Sequence, residues 1–491
     1  MNAAAGPPRG ISLGALFPDA RLPAELRARR ISGLAADSRL VRPGFLFAAI
    51  PGTKADGLAY AAAAVRAGAV ALLATARPAD LPPHIGFVEA ADPRAALARA
   101  AARFYPRQPA VLAAVTGTNG KTSVASFLRQ IWTALGHPAA SMGTVGLVSP
   151  LGVEPGSLTT PDPIALHETL DRLAGAGVTH LALEASSHGL VQHRLDGLRL
   201  AAAGFTNLTR DHLDYHGSFE AYRAAKLILF ETLLPSGGMA VVCADGAEAD
   251  AFLALIRRRG LPCLTVGRAG IDLRLVEAEP EGFGQRLVVD ARGRRFPIRL
   301  ALPGAFQADN VLVAAGLAIA TGADTEAVMA TLGDLEGAPG RLEKVAETNG
   351  ALVVVDYAHT PDALTNVLAT LRPYAKGRLI AVFGAGGDRD AGKRPLMGAA
   401  VAAAADLAIV TDDNPRSEDP AAIRRAVLAA APGAREIGDR AAAIAAAIAE
   451  LRPGDVLLIA GKGHETGQIV GDRTLPYADH DAVRAVLEGR R

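Results

Sequence analysis

Residues 110 to 135 restrict the fold more than any other stretch of the chain. An apolar run, Ala110 to Val115, leads into Thr116-Gly117-Thr118-Asn119-Gly120-Lys121-Thr122-Ser123, and a helix-forming run from Val124 to Leu135 follows. Strand, Gly-rich turn and helix in that order make a cradle for a polyphosphate. The glycines let backbone N–H groups approach the phosphates, and the helix N-terminus adds its positive dipole end. Lys121 can neutralise β and γ oxygens, and Thr122 offers a hydroxyl to Mg²⁺. ATP or GTP is the expected ligand. A strict phosphate-loop pattern needs Gly at position 115, where this chain has Val, so the loop is a shortened variant. An ordinary turn before a helix would need glycine but would have no use for the Gly-Lys-Thr sequence.

At 491 residues the chain is too long for one hydrophobic core, and at ~150 residues per domain about three domains are expected. Lys plus Arg (51) nearly balances Asp plus Glu (50), so no overall field draws it to nucleic acid or an anionic membrane. Anionic ligands must then be held by local sites. The two cysteines, Cys243 and Cys263, suggest neither a disulfide framework nor a thiolate metal site, which fits a reducing cytoplasm. The N-terminus has no apolar leader, and the Ala-rich segment near residues 61 to 76 is broken by Arg66, so no membrane insertion is expected.

The pattern divides into three α/β parts. Residues 1–106 hold strand-like pieces at Phe45 to Ile50 and Val70 to Ala74 around an Ala-rich helix ending near Gly68. Tyr105-Pro106-Arg107-Gln108-Pro109 then disfavours helix. In 107–337, apolar strands at Val111 to Val115, His180 to Glu184, Ala202 to Thr206 and Met239 to Cys243 alternate with helices, which predicts a mostly parallel, doubly wound sheet. After Gly337-Ala338-Pro339-Gly340, residues 338–491 repeat the alternation, with strands at Leu352 to Asp356, Leu379 to Gly384, Leu407 to Thr411 and Val456 to Ala460. Ligands of such sheets collect at the carboxyl ends of the strands.

The chemically capable residues fall at those ends. Glu184 closes its strand and is a Mg²⁺ ligand candidate, or equally a cap for the next helix. Asn207 to His216, with Asp211, His212 and Asp214, is dense in groups suited to a divalent cation, although His216 reads better as a satisfied loop histidine. Tyr222, Lys226 and Phe230 share a helix face after a Ser218 cap, and an amine there is expected to snorkel to water. Asp356-Tyr357-Ala358-His359 could bind a ribose or base. Gly384-Ala385-Gly386-Gly387-Asp388-Arg389 fails the dinucleotide fingerprint at Arg389, which speaks against NAD. Asp412-Asp413-Asn414-Pro415-Arg416 joins amide and guanidinium donors in a stiff turn suited to a carboxylate, and Gly461-Lys462-Gly463-His464-Glu465 completes the set.

Taken in order from Asp37-Ser38-Arg39 to Gly461-Lys462-Gly463-His464-Glu465, these segments resemble the Mur ligase family, and within it the members that add meso-2,6-diaminopimelate. The resemblance implies an N-terminal UDP-sugar domain, a central ATPase with a mostly parallel sheet, and a C-terminal Rossmann-like domain. It implies an ATP-dependent ligase that extends UDP-N-acetylmuramoyl-L-alanyl-D-glutamate through an acyl phosphate, acting as a cytoplasmic monomer. By the same resemblance Ser38, Thr53, Lys54 and Ala55 contact the UDP end, and Thr159, Thr160, Ser186, Gln192 and Arg194 hold the muramoyl-dipeptide. Gly117 to Ser123 with Asn310, Arg341 and Asp356 bind ATP. Thr122, Glu184 and His212 bind Mg²⁺, beside a Lys226 carboxylated by carbon dioxide to a carbamate. Arg389, Asp413, Asn414, Pro415, Arg416, Gly461 and Glu465 take diaminopimelate. Two positions depart from the family: Ser123 replaces a second Thr, and Leu158 stands where relatives often have Asn. A GTPase reading finds a mimic of a guanine-reading motif in Thr53-Lys54-Ala55-Asp56, but that tetrapeptide precedes the phosphate loop. A lysine-adding ligase and a folylpolyglutamate synthetase are the enzymatic alternatives.

Overall fold

The computed structural model describes residues 10–52, 56–156, 158–246 and 248–489. It divides into two compact units, residues 1–266 with 316–324, and residues 267–315 with 325–491. Among the described residues no helix is long and apolar enough to cross a membrane.

The first unit opens with a four-stranded parallel sheet, β1 (Gly33–Ala35), β2 (Phe45–Ala48), β3 (Ala71–Ala74) and β4 (Gly86–Glu89), in sequential order. Helix α1 (Pro93–Phe104) covers it. Asp92 caps that helix by accepting from the Arg94 and Ala95 N–H groups, and Pro93 sits at its first position. The larger sheet carries the phosphate loop. It comprises β5 (Val111–Thr116), β6 (Ala139–Gly143), the hairpin β7 (Gly146–Ser149) and β8 (Gly152–Glu154), then β9 (His180–Glu184), β10 (Ala202–Phe205), β11 (Met239–Cys243) and β12 (Cys263–Gly267). Within this unit the order is β8-β7-β6-β9-β5-β10-β11-β12, parallel apart from the hairpin. Register places Glu184 opposite Val115, so the last residue of β9 lies beside the start of the Gly-rich turn. Helix α2 (Lys121–Ala134) buries Val124, Phe127, Leu128, Ile131 and Trp132, spaced three and four residues apart as one apolar stripe requires.

The second unit has an antiparallel meander, β13 (Leu273–Glu281), β14 (Gly284–Ala291) and β15 (Arg294–Leu300). Its six-stranded sheet contains β16 (Glu343–Thr348), β17 (Ala351–Asp356), β18 (Leu379–Phe383), β19 (Leu407–Val410), β20 (Arg435–Glu436) and β21 (Val456–Ala460), in the order β16-β17-β21-β18-β19-β20. All neighbours are parallel except β16 with β17. Fully buried Val, Ile and Leu fill β17, β18 and β21, as expected of strands covered on both faces. A short hairpin, β22 (Gly467–Val470) with β23 (Arg473–Pro476), follows.

The alternation of strands expected from the apolar runs is present in both units, with ends shifted by a residue or so. One local expectation fails. Helix α3 (Phe219–Ile228), capped by Ser218 as expected, passes into a π-helical turn over Leu229–Leu233, so Phe230 leaves the regular helical register that Tyr222 and Lys226 share.

Candidate functional site

In the first unit, four neighbouring strands deliver their carboxyl ends to one place. After β5 the chain turns through Gly117 (φ 155°) and Gly120 (φ 87°), both in the positive-φ region. A Cβ on Gly117 would collide with Thr206 Oγ1, so a larger residue would force the loop off the strand beside it. The loop is laced to the segment after β10. Thr206 Oγ1 donates to Asn119 O (2.6 Å), Asn119 N donates to Asn207 Oδ1 (3.0 Å), and Thr209 N donates to Thr118 Oγ1 (2.9 Å). Lys121 Nζ folds back to donate to the carbonyls of Gly117 and Thr118, each at 2.8 Å. Thr122 and Ser123 are buried in the first turn of α2.

Glu184 does not cap the next helix: Ser186 does, accepting from the Gly189 N–H. The Glu184 carboxylate instead accepts from Thr122 Oγ1 (3.1 Å), Thr144 N (2.7 Å) and Thr144 Oγ1 (3.2 Å). Gly143 makes room for it, since a Cβ there would collide with Glu184 Oε1. A hydroxyl and a carboxylate side by side at a phosphate loop are hard oxygen donors of the kind Mg²⁺ takes.

Lys226 corrects the expectation of a snorkelling amine. Its side chain is 1% exposed, and Nζ donates to Gly117 O at 2.7 Å, the carbonyl that Lys121 also uses. The reason lies in tertiary packing: α3 meets the phosphate loop, and that carbonyl supplies the partner water would have supplied. Burial, reinforced by the Lys121 charge, holds the Lys226 amine well below the usual lysine range. Nζ also sits 4.6 Å from the Tyr222 ring centroid, and the Tyr222 hydroxyl lies 3.2 Å from Thr118 Oγ1.

His212 takes φ 52°. Its Nε2 lies 3.5 Å from Asp211 Oδ2, and its ring meets the edges of His188 and Tyr222. His216 is satisfied by Ser187 Oγ at 3.0 Å, as its loop reading expects. The five residues expected to hold a muramoyl-dipeptide do come together around Glu184. Thr160 Oγ1 donates to Glu184 O (2.7 Å) and accepts from Ser186 N (3.0 Å), and the Thr159 hydroxyl pairs with that of Thr144 (3.0 Å). Arg194 donates to Thr160 O (2.6 Å) and to Gln192 Oε1 (2.7 Å). Leu158 beside them is exposed. Ser38 is half-buried at the start of a 3₁₀ turn that Asp37 caps. Thr53, Lys54 and Ala55 lie outside the described residues.

The second unit holds the remaining candidates. Asn310 is buried in the helix Ala305–Ala320 and donates to Gln307 Oε1 (3.0 Å). Asp356, at the end of β17, accepts from the N–H groups of Leu342 (2.8 Å) and Ala358 (2.7 Å), and the Arg341 guanidinium lies 4.7 Å from the Tyr357 ring centroid. Burial pushes the Asp356 carboxyl up, against the opposing pull of Arg341. The turns after β18, β19 and β21 converge separately. Asp413 and Asn414 are buried, and Asn414 Nδ2 donates to Glu465 Oε2 (2.9 Å). Arg416 takes φ 54°, and its Nη1 donates to Gly387 O (2.8 Å). A Cβ on Gly461 would press on Asp413 Oδ2, and one on Gly387 would collide with Pro415 O, so both glycines are fixed by close approach. Arg389 stays exposed and donates to its neighbour Asp388 O (3.4 Å).

Three family models match the chain: "Mur ligase family, catalytic domain" over residues 30–105, "Mur ligase middle domain" over 115–318, and "Mur ligase, glutamate ligase domain" over 340–463. A UDP-N-acetylmuramoyl-L-alanyl-D-glutamate--2,6-diaminopimelate ligase from Bradyrhizobium diazoefficiens is 59% identical over 96% of this chain and 98% of its own length. The protein of the same name from Caulobacter vibrioides is 58% identical, covering 94% and 96%. The chain belongs to the Mur ligase family. A solved structure of a 2,6-diaminopimelate ligase of that name superposes with a TM-score of 0.72 at 33% identity, covering 98% of this chain and 99% of that one. MurF from Acinetobacter baumannii shares the fold (TM-score 0.65, 19% identity, covering 92% and 96%).

Two groups in these sites carried no role from sequence: Thr144, and Lys462, which stood only as part of the segment Gly461 to Glu465. Thr144 grips Glu184 from 40 residues away, and Lys462 reaches Asn414 across 48. A small residue pair, Gly143-Thr144, at a strand's carboxyl end was the available signal for the first. For Lys462 the signal was a lysine flanked by two glycines directly after a fully apolar strand.

Proposed function

We propose that this Mur ligase joins meso-2,6-diaminopimelate to UDP-N-acetylmuramoyl-L-alanyl-D-glutamate with ATP, in peptidoglycan precursor synthesis. The observation that carries the reading is the hydrogen bond from Thr122 Oγ1 to Glu184 Oε2 at the phosphate loop, within a chain matched end to end by relatives bearing that name. The D-glutamyl γ-carboxylate attacks the γ-phosphorus of ATP, ADP leaves, and the amine of diaminopimelate then displaces phosphate from the acyl phosphate to form the amide. Anionic oxygens crowd the first step, so the chain must supply positive charge and alignment.

In this proposal the backbone of Gly117 to Gly120 cradles the phosphates, and Lys121 leaves its two carbonyls to meet their oxygens. Thr122 and Glu184 would hold Mg²⁺, which when bound neutralises phosphate oxygens; their oxygen chemistry fits it. His212 joins that set on the family resemblance. Lys226 carries a carbamate: a buried amine held towards its uncharged form is the species that adds to carbon dioxide, and the product is an anion suited to a cation site. Thr159, Thr160, Ser186, Gln192 and Arg194 orient the dipeptide near Glu184, with Ser38 and the loop at Thr53, Lys54 and Ala55 at the UDP end. Asn310, Arg341 and Asp356 are assigned to ATP on the family resemblance. Arg389, Asp413, Asn414, Pro415, Arg416, Gly461 and Glu465 receive diaminopimelate. Domain limits at 1–106, 107–337 and 338–491 belong to the proposal, and each matched family segment falls inside one of them. So do a monomeric state and a cytoplasmic location, where ATP is available.

The test is phosphate release from ATP with the UDP-muramoyl-dipeptide and a panel of amino acids. Release that requires dipeptide, ATP and diaminopimelate together is expected; release supported equally without the UDP-dipeptide would refute the reading.

A further inference from the structure

Lys462 stands directly after β21, and its side chain is 0% exposed. Lysine is almost never fully buried unless it is paired. Here Nζ donates to Asn414 Oδ1 at 3.0 Å and to Glu465 Oε2 at 2.9 Å, and lies 3.9 Å from Asp413 Oδ1. Asn414 is pinned on both sides. Its Oδ1 also accepts from Ile469 N (2.9 Å), and its Nδ2 donates to the same Glu465 oxygen (2.9 Å). With two donors facing Oδ1, only one orientation of the amide satisfies the network. Gln468 Nε2 holds the Asp413 carbonyl (2.7 Å), which fixes the backbone beneath.

The charges are uneven. Asp413 and Glu465 bring two carboxylates to one ammonium. The nearby Arg440 is already engaged by Asp479, with Nε and Nη2 at 2.7 and 2.8 Å from its oxygens. One negative charge is left to face an incoming ammonium, while Arg416 offers a guanidinium for a carboxylate. A buried ion pair contributes little net stability relative to apolar packing, but it fixes orientation.

We infer that Lys462 is a positioning residue for the amino-acid substrate: its buried ammonium locks Asn414 and Glu465 into one arrangement and balances Asp413, so the site is formed before diaminopimelate arrives. This rests on the reading that the cluster receives diaminopimelate. Without the ammonium, two carboxylates would face each other in a confined site and one would gain a proton. Asp413 is the candidate, because burial already pushes its carboxyl up and Glu465 adds to that push, while Arg440, then Lys462 and His359, oppose it. Tyr357 is the other titratable group that faces it.

The experiment is steady-state phosphate release by the full chain as diaminopimelate is varied, comparing wild type with Lys462→Met. The expected result is a rise in KM for diaminopimelate of about 30-fold or more, a smaller fall in kcat, and an unmoved KM for ATP. In the variant alone, KM for diaminopimelate should fall as pH is raised and Asp413 loses its proton. A folded Lys462→Met with wild-type KM for diaminopimelate overturns the inference. Should that variant not fold, Lys462→Met is made in Glu465→Gln, which removes the uncompensated charge. The double variant must show a KM for diaminopimelate about tenfold above the Glu465→Gln single, and an unchanged value overturns the inference. A wild type that ignores diaminopimelate defeats the functional reading itself. A wild type that uses it, with KM indifferent to Lys462, defeats only the inference.

Discussion

The two units present charge in opposite ways. At the phosphate loop, the Lys121 ammonium and the Lys226 amine rest on backbone carbonyls, both reaching Gly117 O. In the second unit, the Lys462 ammonium rests on Glu465 and Asn414, and Arg440 on Asp479. Carbonyls satisfy hydrogen bonds without cancelling charge, so these contacts leave the Lys121 charge to be used on an anionic ligand. The Lys462 and Arg440 cations of the second unit are compensated before any ligand binds, with one carboxylate in excess. The difference matches the two tasks: a polyphosphate brings several negative charges and can reorganise the side chains that meet it, whereas an amino acid brings a zwitterion and is recognised by a preformed pattern.

The sharpest break in this comparison comes from Lys121→Ala. If Lys121 moves from carbonyl to phosphate, its loss should reduce turnover by about 10³-fold, while thermal unfolding stays near wild type because a half-buried amine held on loop carbonyls adds little to packing. Phosphate release and melting measured on the same preparation decide it; near-normal activity would remove the ligand-dependent half of the comparison. Next in size is Lys226. Lys226→Arg keeps a cation but cannot form a carbamate, so it should fail nearly as badly as Lys226→Ala, by about 10²-fold. Activity restored by Arg would mean that the buried group acts as a cation, and the carbamate would be wrong.

The parts readable from sequence and the parts that were not separate along physical lines. Strands such as His180–Glu184 and Val456–Ala460 announce themselves by apolar runs, and the helix starting at Lys121 by its Gly-rich entry, because these signals are local. Glu184 could be placed at a strand end but not told from a helix cap, since only the fold brings Thr122 and Thr144 to it. Lys226 was misjudged for the same reason. Spacing gives its helix face, and only tertiary contact shows that the face meets Gly117. The segment holding Asp413 and Arg416 was legible as a stiff turn, yet the role of Lys462 was not, because its flanking glycines mark a tight turn while only the fold brings Asn414 to its amine.

Substrate discrimination bears most directly on the central claim, that the second unit is built in advance for a substrate with a carboxylate at its far end. Diaminopimelate has that carboxylate and lysine does not, and Arg416, with its backbone fixed and Nη1 anchored on Gly387 O, retains donors to receive it. With lysine bound, the guanidinium would face an ammonium instead, a loss of about 2–5 kcal/mol, or roughly 30-fold to several thousand-fold in discrimination. The decisive measurement is kcat/KM for meso-diaminopimelate and for lysine in wild type and in Arg416→Ala. A strong wild-type preference for diaminopimelate that largely disappears in the variant is the predicted result; equal use of lysine by the wild type would contradict it.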